Sequence, residues 1–399
     1  MVEELLHDGA RITLAVGALL VLTVGIAWVS RRLRLPAPLA FLAIGVAVSS
    51  ATGYRLDAAH GDILITAGSL ALSVILFEGG FNGGWSRTRD ALGPILSIGL
   101  AGTFLTAAAM AALGHWLLGL SWGTAALIGV ALSPTDPATV FSVLGSCTLQ
   151  GRTGEVLEGE SGVNDPVGIA LMLGTLDIVL HGAGGGAVLD VARTFAMELG
   201  IGVLGGLVVG LAGNWLLTHV PLPSYAVHAT AAIAVAMLAF GLTAAVHGSG
   251  FLAAFVAGMA VGEEDIRLHS ETEDTLSVVA NLGETTMFLL LGLTITFEAF
   301  DDSIVIELAT FALLTFLVRP VLTHLLLAPT SLPRKHRSFI AWGGLRGAVP
   351  ILLGFFVLVD DVPDDQLIYT VVFVAVTLSM LVQGTTLPAV GRRLGVIKA

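Results

Sequence analysis

The chain is written in long, unbroken apolar stretches separated by short polar clusters. A helix that crosses a hydrocarbon core of about 30 Å needs roughly 20 mostly apolar residues. Against that length the sequence predicts thirteen helical spans, near 12–29, 35–50, 62–79, 91–118, 122–144, 155–180, 188–219, 225–246, 248–262, 276–298, 303–328, 337–358 and 366–388. The ninth is short enough to be re-entrant. The runs are continuous rather than alternating, and too long for the staves of a membrane barrel. The predicted class is an all-α polytopic membrane protein.

Composition agrees. Of 399 residues, 55% are hydrophobic and only 12% charged, against about 25% charged in a soluble domain. The mean hydropathy is +0.91. So few charges cannot cover a soluble surface. A single cysteine, Cys147, excludes a disulfide framework and any cysteine-ligated metal cluster. A net charge of −12 with no basic patch argues against nucleic acid as a partner. Glu3, Glu4 and Asp8 precede the first apolar run and no small-residue cleavage site follows it, so it reads as a retained span rather than a signal peptide.

The 18 basic residues set the expected orientation, because cytoplasmic loops collect Lys and Arg. With thirteen spans, one side holds Arg31, Arg32, Arg34, Arg87, Arg89, Arg152, Arg267, Arg334, Lys335, Arg337, Arg392, Arg393 and Lys398. The other holds Arg11 and Arg55; Arg193, Arg319 and Arg346 fall within spans. The expected N-terminus is outside and the C-terminus cytoplasmic.

Spacing predicts a repeat. Spans one to six begin near 12, 35, 62, 91, 122 and 155, and spans eight to thirteen near 225, 248, 276, 303, 337 and 366, so partners lie 211–215 residues apart. Two six-helix units, 1–180 and 225–399, are then joined by a connecting transmembrane helix within 181–224. The extra crossing inverts the second unit, as in the inverted repeats of secondary transporters.

Two spans are interrupted at matching positions. Span five carries Ser133-Pro134-Thr135-Asp136-Pro137 at its middle, where two prolines remove backbone donors and unwind the helix. Span twelve carries Gly343-Gly344-Leu345-Arg346-Gly347-Ala348-Val349-Pro350. Irregular backbone at membrane depth is tolerated only where it is buried or lines a cavity, and paired interruptions in corresponding spans point to a binding site.

Span six supplies charge as Glu158-Gly159-Glu160-Ser161-Gly162-Val163-Asn164-Asp165-Pro166. Glu160 and Asn164 stack at i, i+4, as do Ser161 and Asp165. Intramembrane ionisable groups are costly and mark ion or proton paths. Asp136 and Asp165, brought together, offer hard oxygen ligands to a small alkali cation, and either a cation or protons relieve their mutual repulsion. Arg346 is too costly to leave unpaired, and Glu160 is its expected partner. Arg319 is expected to pair with another buried acid that the sequence does not identify.

Other polar residues are less telling. Glu158 reads equally as a solvated charge near the cytoplasmic end of span six, and Glu78, in Phe77-Glu78-Gly79-Gly80, as an interfacial one. Asp177, Glu198, Glu284 and Glu307 lack a second polar partner in their motifs and read as structural. His115, His219, His228, His247 and His324 fall at or near span ends, and no His-Glu-x-x-His run exists to suggest a zinc protease. Gly202, Gly206 and Gly210 imply close helix packing, within one chain or between two.

With these motifs, Phe77–Gly80, Pro134–Pro137, Glu160–Asp165 and Gly343–Gly347, essentially the whole chain resembles the cation–proton antiporter family, in particular NhaP-type sodium/proton antiporters and their potassium/proton relatives. The resemblance implies thirteen helices arranged as a dimerisation part and a mobile core with crossed broken helices. It implies that Thr135, Asp136, Ser161 and Asp165 coordinate Na⁺ or K⁺, with a contribution from Glu78. It also implies that Glu160 and Arg346 form a structural ion pair beside Asn164. An Asn-Asp pair, in place of two successive aspartates, resembles the electroneutral branch that trades one cation for one proton. Pro137 and Pro166, following the two aspartates, resemble the potassium-exchanging relatives. Those relatives often carry a soluble cytoplasmic regulatory domain; here the sequence stops eleven residues after the thirteenth span, so the expectation is that such a domain is absent or removed.

The function expected is therefore secondary antiport of Na⁺ or K⁺ against H⁺ by alternating access. The setting is the inner (cell) membrane, the protein is a homodimer serving pH homeostasis, and no cofactor is needed. Rival readings are a sodium-coupled carrier of organic anions, an intramembrane aspartyl protease built on the two aspartates, and a passive channel. The protein is not expected to be an enzyme.

Overall fold

The computed structural model describes residues 2–33, 35–145, 147–182, 187–262, 269–296 and 304–398. Arg34 and Arg267, counted above for orientation, lie outside them, as do the far end of the tenth predicted span and residues 183–186 of the connecting segment. The described chain is almost entirely helical. In order the helices are α1 Val2–Leu33, α2 Ala37–Thr52, α3 Gly61–Leu96, α4 Gly102–Leu118, α5 Trp122–Ala131, α6 Pro137–Leu144, α7 Thr153–His181, α8 Ala187–His219 and α9 Tyr225–Ala245. They continue as α10 Gly250–Val261, α11 His269–Gly292, α12 Ile304–Ala312, α13 Arg319–Leu326, α14 Arg334–Trp342, α15 Ala348–Val359, α16 Asp365–Leu378 and α17 Thr385–Leu394.

Among the described residues seven helical stretches are long and apolar enough to cross a membrane, and shorter apolar helices such as Ala37–Thr52, Trp122–Ala131, Gly250–Val261 and Ala348–Val359 accompany them. The longest stretch, Ala58–Leu118, has 61 residues. At 1.5 Å per residue a straight helix of that length would measure about 90 Å, three times a hydrocarbon core. It is broken at Gly84, whose φ of 57° and ψ of 160° only glycine adopts readily. Short π-helical segments, at Ser97–Ala101, Leu313–Val318 and Ser379–Gly384, link α3 to α4, α12 to α13 and α16 to α17.

Small residues set the close crossings. A side chain at Gly80 of α3 or Gly258 of α10 would collide with the backbone of the other helix, so the two touch main chain to main chain. Gly202, Gly206 and Gly210 of α8 lie against Ser249, Ala253 and Ala257, so this stripe serves packing within the chain. A two-stranded antiparallel ladder, β1 Thr148–Leu149 with β2 Ile397–Lys398, ties the last residues to the loop between α6 and α7.

The two interruptions sit opposite each other and satisfy one another. The α5 helix ends at Ala131 and α6 opens at Pro137; α14 ends at Trp342 and α15 opens at Ala348. Asp136 N–H donates to Leu345 O at 2.8 Å, joining the two unwound segments main chain to main chain. In a continuous helix Ser133 O would accept from residue 137, but that residue is proline. Pro134 O would accept from Ala138, whose N–H goes instead to Asp136 Oδ1 at 2.9 Å. Both stranded carbonyls are taken by Arg346, whose Nη1 donates to Ser133 O at 2.8 Å and Pro134 O at 2.5 Å. Arg346 is 2% exposed, and its charge lies at the negative C-terminal end of α5.

This corrects the expected Glu160–Arg346 ion pair. Glu160, 1% exposed, gives both oxygens to Arg319 of α13: Nη1 to Oε1 at 2.5 Å and Nη2 to Oε2 at 2.8 Å. The physical reason is that the unwound backbone of span five presents free carbonyls to Arg346, whereas α13 brings Arg319 against Glu160 of α7. Arg319 also reaches Ile340 O at 3.4 Å. Gly344 makes room for this, since a side chain there would overlap the Arg319 guanidinium.

Removing one partner of the buried pair, by Glu160→Gln or Arg319→Met, is expected to lower stability by about 3–5 kcal/mol. The double variant should lose less than the two single losses combined. Thermal unfolding of the four purified proteins in detergent checks this, and strictly additive losses would mean that the two side chains do not act as a unit.

Candidate functional site

Asp136 is held by the helix it starts. As the N-cap of α6 its Oδ1 accepts from Ala138 N at 2.9 Å and Thr139 N at 3.3 Å, and its Oδ2 accepts from Thr139 Oγ1 at 2.7 Å. The Asp-Pro start explains this locally: proline at the first helical position has no N–H to satisfy, and aspartate is a preferred cap. A side chain at Gly347 would overlap the Asp136 carboxyl group, so the glycine of the second break leaves space for the acid of the first.

Asp165 stands on α7, 7% exposed, with Ser161 Oγ donating to its Oδ2 at 2.9 Å across one helical turn. On the neighbouring face Asn164 grips the first break at two points. Its Nδ2 donates to Thr135 Oγ1 at 2.8 Å, and its Oδ1 accepts from Thr135 N at 3.3 Å. Asn164 thereby fixes the unwound strand against α7. Neither Asp136 nor Asp165 forms an ion pair among the described residues.

One cavity of about 300 Å³ receives these groups. Glu78, Thr135, Asp136, Ser161 and Asp165, the five residues expected to hold cation or proton, all line it. Glu160, Asn164 and Arg346, expected as scaffold, do not line it. Glu78 comes from α3, where Oε1 accepts from Asn82 Nδ2 at 2.9 Å and from Ser277 Oγ of α11 at 2.8 Å. The wall contains no Lys, Arg or His among the described residues. The buried Arg346 and Arg319 are committed elsewhere, Arg346 to carbonyls and Arg319 to Glu160.

The sequence reading missed part of the wall. Thr139 supports Asp136 with both backbone and hydroxyl, a signal present in the Asp-Pro-Ala-Thr run as a capping pattern. Glu158 and Glu284, along with Ser277 and Asn281, also line the cavity. The α11 set recurs at i, i+4, i+7, so a helical-face analysis of that span would have found it.

Chemically the site offers carboxylate, hydroxyl and amide oxygens. These are hard donors suited to alkali or alkaline-earth cations rather than to soft transition metals. Among the described residues no positively charged side chain lines it to hold an anion.

Residues 18–393 match the family described as "Sodium/hydrogen exchanger, transmembrane". The K(+)/H(+) antiporter NhaP of Alkalimonas amylolytica is 33% identical over 383 residues, covering 95% of this chain and 66% of its own length. The K(+)/H(+) antiporter NhaP2 of Shewanella oneidensis is 32% identical over 388 residues, with 94% and 66% covered. The chain thus spans 66% of the length of these curated relatives. The structure of the sodium proton antiporter MjNhaP1 from Methanocaldococcus jannaschii at pH 8 superposes with a TM-score of 0.77 at 21% identity, covering 94% of this chain and 99% of that one. The fold is the one seen there, and with a family match over nearly its full length the chain belongs to the transmembrane sodium/hydrogen exchanger family.

Proposed function

We propose that this chain is the membrane-embedded exchange unit of a monovalent cation/proton antiporter, trading Na⁺ or K⁺ for H⁺ across the cell membrane by alternating access. One observation carries the proposal: Asp136 and Asp165, on different helices and without a cationic partner among the described residues, face one cavity deep in the bundle. A charged side chain at the centre of a bilayer costs at least about 2.5–3.5 kcal/mol. Glu160 avoids this cost permanently through Arg319. The two aspartates avoid it only while something positive is bound, and a metal cation or protons serve equally. Occupation by one displaces the other, so each half-cycle carries one kind of ion across.

In this scheme Asp165 is the main ligand and proton acceptor and Asp136 the second carboxylate. Thr135, Ser161 and Glu78 complete or gate the site, and Asn164 and Arg346 hold its backbone. The Asn164-Asp165 pair supports an electroneutral exchange of one cation for one proton. The relatives' names include both potassium/proton and sodium/proton antiporters, so both ions belong in the assay.

The inverted repeat is part of the proposal. Arg346 bonds Ser133 O and Pro134 O, residues 213 and 212 positions away, which is the spacing between the two predicted units. Contact between positions related by the repeat is what a pseudo-two-fold axis through the crossing requires. The irregular turns at Ser97–Ala101 and Leu313–Val318 fall in the spans that the repeat pairs. We assign thirteen spans, an outside N-terminus, a cytoplasmic C-terminus and a homodimer to the intact protein. An acid-only cavity wall favours this reading over a carrier of organic anions.

In proteoliposomes, cation-driven proton flux is expected to vanish in Asp165→Asn while elution and unfolding remain those of the parent; normal flux would remove Asp165 from the mechanism. Asp136→Asn separates charge from capping, because asparagine caps a helix as well as aspartate. It should leave the unfolding temperature close to that of the parent yet lose exchange. Competition has its own signature. Toward low pH the apparent KM for the cation should rise by about tenfold per pH unit when one proton competes, and by about a hundredfold when two do. A KM independent of pH, with Li⁺, Na⁺, K⁺ and Rb⁺ compared, would contradict a shared site.

A further inference from the structure

The carboxylates assigned above do not account for the whole cavity wall. Glu284 lines it from α11, a different helix from those that carry Asp136 and Asp165. Its Oε1 atom is buried and has no hydrogen-bond partner among the described residues. The contrast with its neighbours is direct. Asp136 accepts from Ala138, Thr139 N–H and the Thr139 hydroxyl; Asp165 accepts from Ser161; Glu78 accepts from Asn82 and Ser277.

A carboxylate oxygen withdrawn from water with no donor to replace the lost hydration is destabilising, and more so at membrane depth. No basic side chain lines the cavity among the described residues, so nothing fixed in the wall offsets the charge. Ser277 and Asn281 share its face of the helix and line the same cavity. Together they form a ladder of hydroxyl, amide and carboxylate oxygens down one wall. Glu284 and Asp165 thus reach the same cavity from different helices, α11 and α7.

We propose that Glu284 is a further ligand of the transported monovalent cation, contributing a carboxylate oxygen from the α11 wall as the ion sheds water on its way to Asp165. This rests on the antiport reading of the cavity. In that reading α7 and α6 supply the competing carboxylates, and α11 supplies an oxygen that raises affinity and helps to choose between cations of different size. Because this oxygen comes from another helix, a change in the gap between α11 and α7 alters the coordination directly. The residue thus touches substrate rather than acting through a neighbour.

The test is cation-driven proton flux in vesicles holding the purified full chain, with Li⁺, Na⁺, K⁺ and Rb⁺ titrated separately. Glu284→Gln, nearly identical in shape, should raise the apparent KM for the preferred cation by about three- to tenfold. KM should rise more than turnover falls, and the order or ratio of the four cations should change. Glu284→Asp, which keeps the charge on a shorter arm, should give a smaller rise. A merely structural residue would alter unfolding temperature or yield but leave the selectivity ratios as they were, so unchanged KM values and ratios in Glu284→Gln overturn the inference. Should Glu284→Gln fail to fold, Glu284→Asp decides: altered ratios support the inference and parental ratios overturn it. Asp165→Asn is measured in parallel. If it also exchanges normally, the antiport reading itself has failed; if it is dead while Glu284→Gln is indistinguishable from the parent, only the role of Glu284 has failed.

Discussion

A proline has no backbone N–H to donate, and at Pro137 that absence organises the centre of the molecule. The carbonyl of Ser133 loses its helical partner, and that of Pro134 loses its own because Ala138 turns to the Asp136 side chain. In a membrane interior such groups cannot be left to water. Arg346 takes both, and the main chains of the two breaks join between Asp136 and Leu345. From this one repair follow the crossing of the interrupted helices, the position of Asp136 at the mouth of α6, and the opening of a cavity beside it.

Charge is divided into two kinds by the same crossing. Glu160 and Arg319 neutralise each other by a bidentate contact and form part of the frame. Among the described residues, Asp136 and Asp165 accept hydrogen bonds from neutral donors, namely backbone N–H groups and hydroxyls. Neutral donors orient a carboxylate without cancelling its charge, so these two acids keep a demand for a cation or proton that Glu160 does not have. That difference, more than the number of acids in the membrane, separates frame from proposed working site.

Much of this was legible in the chain. The spans and both interruptions follow from local composition: long apolar runs, Pro134 and Pro137 in one, Gly343, Gly344 and Gly347 in the other. The five residues expected to face the ion do share a cavity, because Ser161 and Asp165 are fixed on one face of α7 by helical period and Thr135 and Asp136 lie within the break. The pairing of Arg346 is not legible in the chain. Two arginines lie at comparable depth, and choosing between them for Glu160 needs the crossing geometry. Nor is the place of Glu284 in the cavity wall legible there, because its companions Ser277 and Asn281 are spaced along a helical face rather than adjacent in the chain.

The sequence by itself determined that the chain is built of long apolar helices and where two of them must break, because these depend on the missing donors and the apolar length of single segments. Only the tertiary structure decided which positive group serves which negative or carbonyl oxygen, that the α8 glycines pack within the chain, and that α3, α6, α7, α11 and α15 wall one cavity. Those outcomes depend on the approach of segments separated by more than two hundred residues. A guanidinium bonds to whichever oxygen the fold brings within about 3 Å, and no count along a single helix contains that distance.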